Sequence, residues 1–158
     1  MNDMIYGVVP AETLIQYDGL TFLRGLMEGR FPAPPITQTL GFTLSEVEAG
    51  RAVFTGEPQL RHYNPIGTVH GGFAMTLLDS ALGCAIHTLL GKGETYTTLE
   101  IKVNLVRPLT HQTGLVRAEG RTIHRGRTVG TAEGDIRDSS GKLYAHATTT
   151  CMIFPARG

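Results

Sequence analysis

The sequence predicts an α+β fold in which a curved antiparallel sheet of roughly five or six strands wraps around one central helix. The helix is indicated by the apolar run from Phe73 to Leu90, which is long enough for about five turns and apolar on nearly every face. Such a helix is expected inside the fold. The sheet is indicated by the segments that follow, where apolar and polar residues alternate, as they do from Leu143 to Ile153.

Small residues are concentrated on the predicted strands that follow the helix. Because small side chains let a sheet approach another element closely, their position favours a sheet wrapped around the helix. A loose composition without structural meaning is the alternative. The residues are Gly120, Gly130, Ala132, Gly134, Ala145 and Ala147.

The remaining elements follow from apolar spacing and from turn-forming residues. An N-terminal helix is predicted from Leu14 to Met27, where apolar residues recur at helical spacing. The proline-rich run from Phe31 to Ile36 should end any helix and form a stiff linker, which divides the chain into residues 1–35 and a main domain of residues 36–158. The predicted strands are Leu40–Val47, Arg51–Gly56, Thr97–Arg107, Gly114–His124, Thr128–Arg137 and Lys142–Phe154.

Composition narrows the class of protein. The 158 residues fit one domain, and a net charge of zero argues against a nucleic-acid-binding protein. The two cysteines form no C-x-x-C pair, so neither a zinc site nor a redox motif is expected.

The N-terminal residues lack the pattern of a signal peptide, and a cytoplasmic location is expected. The stretch from Gly71 to Gly91 approaches membrane-spanning length, but Asp79 and His87 make a buried helix of a protein without membrane contact the favoured interpretation.

One motif carries the chemistry. Asn64 and the triplet His70-Gly71-Gly72 precede the apolar helix, and Asp79 lies within it. Glycines at a helix start expose backbone N–H groups, and the helix dipole adds a partial positive charge. This suits the oxyanion that forms when water attacks a thioester carbonyl. A carboxylate in such an apolar helix is costly unless it has a partner or a function.

The spacing of the motif indicates a site shared between two chains. Asp79 follows His70 by nine residues, which places them about half a turn and roughly 13 Å apart if both are helical. One chain cannot easily bring both to the same carbon atom. Two antiparallel helices related by a two-fold axis could do so.

At these residues the chain resembles the hotdog-fold acyl-CoA thioesterases, specifically the phenylacetate-degradation (PaaI-like) type. The resemblance covers roughly residues 40–154 and rests on Asn64, the His-Gly-Gly triplet, Asp79, and the strand Thr98-Leu99-Glu100-Ile101-Lys102-Val103-Asn104. It implies hydrolysis of an acyl-CoA to a free acid and CoA, without a cofactor, by a homodimer or homotetramer. The acyl group, aryl or aliphatic, stays open.

The resemblance also implies roles for individual residues. Asp79 would activate water or attack the carbonyl, and the Gly71 N–H would polarise the carbonyl. Asn64 and His70 would orient the reacting groups, and Thr98 would assist from the strand after the helix, although Thr97 is adjacent. Gly72, together with Arg125 and Arg127 at a predicted turn, is expected to contact the substrate, the two arginines through CoA phosphates.

Each of these residues also has a structural interpretation. Asp79 could stabilise the helix or an interface, His70 could shape the turn, and Asn64 could be a turn former. Thr98 could be ordinary strand sequence, and the arginines could form a solvated hairpin tip.

Two other functions stay open at this point. A hotdog hydratase would need a histidine five positions after the acid, but the next histidine after Asp79 is His87. A non-catalytic acyl-CoA sensor would carry a basic effector domain, for which residues 1–35 are too short and too neutral.

Overall fold

The computed structural model describes residues 4–157. Residues 1–3 of the predicted N-terminal segment and residue 158 of the predicted main domain lie outside this described part. Six strands form one antiparallel sheet in the order β1-β2-β4-β5-β6-β3. The strands are β1 (Phe42–Glu48), β2 (Arg51–Gly56), β3 (Glu94–Leu105), β4 (Val116–Arg125), β5 (Val129–Asp138) and β6 (Leu143–Pro155). The predicted segments match them, with ends that differ by a few residues.

The central helix packs against one face of this sheet. The helices of the described range are α1 (Ala11–Leu14), α2 (Gly19–Met27), α3 (Pro35–Leu40) and α4 (Gly71–His87), and α4 is the predicted central one. Most of its apolar side chains are buried, and those of Leu77, Leu78 and Leu82 are fully buried. A Cβ at Gly120 would lie 2.3 Å from the carbonyl oxygen of Ala81, so only glycine allows β4 to approach the helix this closely. The prediction of a sheet wrapped around one helix is confirmed.

The predicted N-terminal helix from Leu14 to Met27 is wrong in its extent. The chain forms two helices there, α1 and α2, with a break before Asp18. The Asp18 carboxylate accepts a hydrogen bond from the Thr21 N–H at 2.9 Å, so Asp18 caps α2 and fixes its start. Helical spacing identified the apolar face but overlooked this capping signal.

The predicted linker from Phe31 to Ile36 also differs from the structure. Helix α3 begins at Pro35, inside this run. Proline is compatible with the first helical turn, where its missing N–H has no partner to lose. The helix ends at Gly41, whose φ of 70° is a left-handed conformation that favours glycine.

Strand β3 lies at an edge of the sheet and pairs with β6 on one side only, as far as residues 4–157 are concerned. It ends in apolar side chains that are half exposed, such as Leu105. Helix α4 comprises 17 residues, and none of the helices in the described range has the length and apolarity required to cross a membrane.

Candidate active site

The loop that leads into α4 is held by Asn64. Its side-chain oxygen accepts hydrogen bonds from the N–H groups of Ile66 at 3.0 Å and Thr68 at 3.2 Å. Its amide nitrogen donates to the Thr68 hydroxyl at 3.0 Å. Asn64 therefore has the turn-forming role, and its predicted role toward substrate stays a prediction.

His70 is the N-cap of α4. Its Nδ1 accepts a hydrogen bond from the Gly72 N–H at 2.9 Å, and its backbone is not helical, with φ −59° and ψ 135°. In a neutral imidazole whose Nδ1 accepts, the proton is carried by Nε2, so this hydrogen bond assigns His70 as an Nε2–H donor. The N–H of Gly72 is occupied by this cap and is not a free donor, and the predicted contact of Gly72 with substrate stays a prediction.

His62 is a residue of this region that the sequence did not reveal. Its side chain is buried and stacks on Phe73 with ring centres 4.6 Å apart. Its Nδ1 accepts the Gln59 N–H at 3.0 Å, and its carbonyl accepts the His70 N–H at 2.7 Å. Burial lowers the pKa of His62, which favours the neutral imidazole, and the hydrogen bonds of His62 hold the loop in place. No spacing marks it, because its partners meet only once the loop has folded.

Gly71 is the first residue of α4, where a backbone N–H has no partner within the helix. Among residues 4–157 no acceptor is bonded to it. Gly71 lines a cavity of about 230 Å³ together with Asn64 and His70. Apolar side chains, including that of Leu105, form most of the remaining wall. The structure thus brings Gly71, which is predicted to polarise the carbonyl, to one cavity with Asn64 and His70, which are predicted to orient the reacting groups. We call these three residues the donor group.

Asp79 and Thr98 form a second group, the acid group. Asp79 is exposed on α4, and its carboxylate accepts a hydrogen bond from the Thr98 hydroxyl at 2.9 Å. Thr97 is exposed, whereas Thr98 faces the helix. Of the two adjacent threonines, the structure therefore pairs Thr98 with the acid. The helix is thus not enclosed on all sides within one chain, since Asp79 lies on an open face.

The two groups lie apart in one chain. Asp79 follows Gly71 by eight helical residues, a rise of about 12 Å, and neither Asp79 nor Thr98 lines the cavity of the donor group. The predicted half-turn offset counted His70 as helical, which it is not. Measured from Gly71 to Asp79, the angular offset around the helix axis is about 80°. The donor group and the acid group are therefore separated mainly by their distance along the axis.

The two predicted CoA-binding arginines lie elsewhere. Arg125 pairs with Glu94 and donates to the Gly126 carbonyl at 3.1 Å. The Arg125 hydrogen bond lowers the pKa of Glu94. Arg127 is exposed in the turn between β4 and β5. Within residues 4–157 neither side chain is bonded to the donor group or the acid group, and contact with CoA stays a prediction.

No three His, Cys, Asp or Glu side chains in the described range are grouped so as to hold a metal ion.

Comparison with known proteins now identifies the family. The profile of the Thioesterase superfamily matches residues 66–145, about half of the chain, from just before His70 to the beginning of β6. The chain belongs to this superfamily. The matched segment contains Gly71, Asp79 and Thr98.

Individual relatives agree with this assignment. A 1,4-dihydroxy-2-naphthoyl-CoA hydrolase of Listeria monocytogenes is 29% identical over 75% of this chain and 94% of its own length. A phenylacetic acid degradation-related protein of Ralstonia eutropha JMP134, described as a thioesterase, superposes with a TM-score of 0.73 and 31% identity over 86% of this chain and 99% of its own. A mutant of the phenylacetic acid degradation protein PaaI from Thermus thermophilus superposes with a TM-score of 0.67 and 31% identity. The match covers 75% of this chain and 97% of that protein. The hotdog fold and the PaaI-like resemblance are confirmed.

Proposed function

We propose that this protein hydrolyses an acyl-CoA thioester to a free acid and CoA, with Asp79 as the general base or nucleophile. The observation that carries the proposal is the Thr98–Asp79 hydrogen bond on the open face of a helix whose first N–H group has no acceptor among residues 4–157. Membership of the thioesterase superfamily supports it. The test is release of free CoA thiol from a panel of aryl- and alkyl-CoA substrates, and absence of release from every member would contradict it.

The proposed reaction needs only water and these residues. Asp79 takes a proton from water, the new C–O bond places negative charge on the carbonyl oxygen, and the Gly71 N–H stabilises that charge. The C–S bond then breaks, and the CoA thiolate takes up the proton held by Asp79. If Asp79 attacks the carbonyl directly, the C–S bond breaks, the CoA thiolate leaves and an anhydride forms. Water then hydrolyses the anhydride, which returns Asp79 as a carboxylate and supplies the proton that the thiolate takes up. In both routes the Nε2–H of His70 is available to the carbonyl or the thiolate.

The same proposal includes a site built from two chains. The open edge of β3 can pair with the β3 edge of a second copy about a two-fold axis. Apolar side chains around the two groups would then be covered; they are Ile66, Met75, Leu99, Leu105 and Val106, all at least 42% exposed in one chain. Antiparallel α4 helices would bring Asp79 toward the partner subunit's Gly71. The low charged fraction, 18%, is consistent with such burial.

Mixing two inactive variants tests the shared site. Asp79→Asn damages the acid group, and Asn64→Ala releases the loop of the donor group, so each homodimer should be inactive. Random exchange of equal amounts makes half of the dimers mixed, each with one intact site, which restores about a quarter of wild-type activity. Native mass spectrometry verifies the exchange. Activity that stays at background after verified exchange would show that each site lies within one chain.

Thr98→Val should reduce kcat about 10- to 100-fold, because a hydrogen bond to a charged group is worth roughly 1.5–3 kcal/mol and Val keeps the shape of Thr. Thr97→Val is the matched control, since this neighbour is exposed and points away from Asp79 on the alternate side of β3. Steady-state kinetics on both variants, with melting temperatures, separates positioning from folding. Equal kcat values for the two variants would remove Thr98 from the site.

A further inference from the structure

The Gly71 N–H differs from the backbone N–H groups on either side of it. The His70 N–H donates to the His62 carbonyl at 2.7 Å, and the Phe73 N–H donates to the His70 carbonyl at 3.0 Å. The Gly72 N–H donates to Nδ1 of His70 at 2.9 Å. Of the N–H groups from His70 to Phe73, only that of Gly71 has no acceptor among residues 4–157. The hydrogen bond to His62 therefore fixes the residue directly before the one free donor.

His62 holds this segment through two further contacts. Its ring stacks on the ring of Phe73, with centres 4.6 Å apart and planes at 25°. Its Nδ1 accepts the Gln59 N–H at 3.0 Å, which ties the ring to the short 3-10 turn Leu60–His62. One buried residue thus connects that turn both to the residue before Gly71 and to the third residue of α4. A shift of His62 would therefore move both ends of the segment that carries the Gly71 N–H.

The His62 imidazole serves as an acceptor as well as a packing group. Because Nδ1 accepts, the proton of the neutral ring lies on Nε2. This Nε2–H is buried and makes no hydrogen bond within residues 4–157, a cost that a phenylalanine ring would avoid. Burial lowers the pKa of His62, which favours the neutral form in which Nδ1 can accept. The acceptor at Nδ1 is therefore the property that distinguishes His62 from an apolar residue at this position.

We propose that His62 is a positioning residue, which acts through His70 and Phe73 to aim the Gly71 N–H at the carbonyl oxygen of the substrate. The inference rests on the proposed hydrolysis, in which this N–H stabilises the negative charge on that oxygen. A misplacement of about 1 Å can cost on the order of a hundredfold in rate. Because the charge develops only as the bond forms, lost alignment should lower kcat and leave KM close to wild type.

A double-mutant cycle with Gly71→Ala tests this inference. His62→Phe keeps a ring that can stack on Phe73 but removes the acceptor of the Gln59 N–H. On the acyl-CoA with the highest wild-type turnover, we expect it to lower kcat about tenfold. In the Gly71→Ala background the donor is already blocked, so the same substitution should lower kcat less than about twofold. A loss of equal size in both backgrounds would assign His62 to structure alone.

His87→Phe is the matched control. His87 also packs between aromatic rings, with ring centres 5.6 Å from Phe22 and 5.3 Å from Tyr96, and burial lowers its pKa to about 4. It lies at the last residue of α4, at the opposite end from Gly71. Its replacement should therefore leave kcat close to wild type, even if the melting temperature falls. A loss of kcat as large as that of His62→Phe would overturn the specific role of His62.

The outcomes separate this inference from the proposed function. Thiol release by wild type from no acyl-CoA would overturn the hydrolysis itself. The NMR resonance of the Gly71 amide reports its alignment without any activity, and His62→Phe should shift it whereas His87→Phe should not. Wild-type hydrolysis with an unshifted Gly71 resonance and an unchanged kcat in folded His62→Phe would overturn the role of His62 alone.

A second variant covers the case in which His62→Phe does not fold. His62→Asn keeps an acceptor oxygen close to the position of Nδ1 but loses the stack on Phe73. The same cycle is then measured with His62→Asn, and a loss of kcat that disappears in the Gly71→Ala background supports the proposal. No loss, or an equal loss in both backgrounds, overturns it.

Discussion

Asp79→Asn should retain the fold and lose about 10²- to 10⁴-fold in kcat, which is the usual contribution of a general base. Asn keeps the size of Asp and can still accept the Thr98 hydroxyl hydrogen bond, so the Asp79–Thr98 contact of 2.9 Å survives. Because Asp79 is exposed in one chain, the substitution should change the melting temperature little. Turnover at saturating substrate and thermal melting, measured on the same sample, test the expectation.

Glu100→Gln is the matched control for this loss. Glu100 is also exposed and lies on β3 two residues after Thr98, but within the described residues its carboxylate makes no hydrogen bond with the acid group. Removing its charge should leave kcat close to wild type. Near-wild-type turnover of substrate-saturated Asp79→Asn would exclude Asp79 as base or nucleophile, whatever the control shows.

The fold was predictable because its signals are local and repeated. The apolar run of α4 and the alternation along β6 follow from side-chain periodicity, and glycines such as Gly120 mark close helix–sheet contact. The N-terminal helices were predicted less well, because their limits depend on single residues. Asp18 starts α2 with one hydrogen bond, and Pro35 starts α3 where a proline-rich run suggested a linker.

The candidate site likewise contains residues that the sequence predicts and residues that it does not. Asp79, Gly71 and His70 are marked by type and spacing, so the sequence alone places them at the start and middle of one helix. His62 and Tyr96 are not, because their contacts form only once the loop before α4 and the packing of β3 on α4 are in place. Tyr96 meets Gly83 only through the packing of β3 on α4, and His62 meets His70 only through the folded loop.

The fold also bears on the hydratase alternative. That chemistry needs a histidine that can act on the same substrate as the acid. His87 packs between Phe22 and Tyr96, and burial lowers its pKa to about 4. It serves as part of an apolar wall and is poorly placed to exchange protons with a substrate at Asp79.

Gly71→Ala should reduce turnover about 10²- to 10³-fold, the usual loss when one oxyanion donor is removed. The new Cβ would lie 2.7 Å from Cδ1 of Leu105, a half-exposed and flexible side chain that also lines the donor-group cavity. Leu105 must shift, and the methyl and the displaced side chain together narrow the space in front of the Gly71 N–H. The pH dependence of the remaining activity should keep the shape of the wild-type profile, since no titrating group is removed.

Stability distinguishes this role from a purely structural one. Alanine is favoured over glycine in a helix by roughly 0.5–1 kcal/mol, and Leu105 can move at little cost, so Gly71→Ala should melt no earlier than wild type. Gly72→Ala is the informative comparison. Its Cβ would lie 2.9 Å from Nδ1 of His70 and should disturb the cap, which lowers the melting temperature. A Gly71→Ala protein that melts early yet keeps full turnover at low temperature would assign Gly71 to folding, because a blocked oxyanion donor cannot leave turnover unchanged.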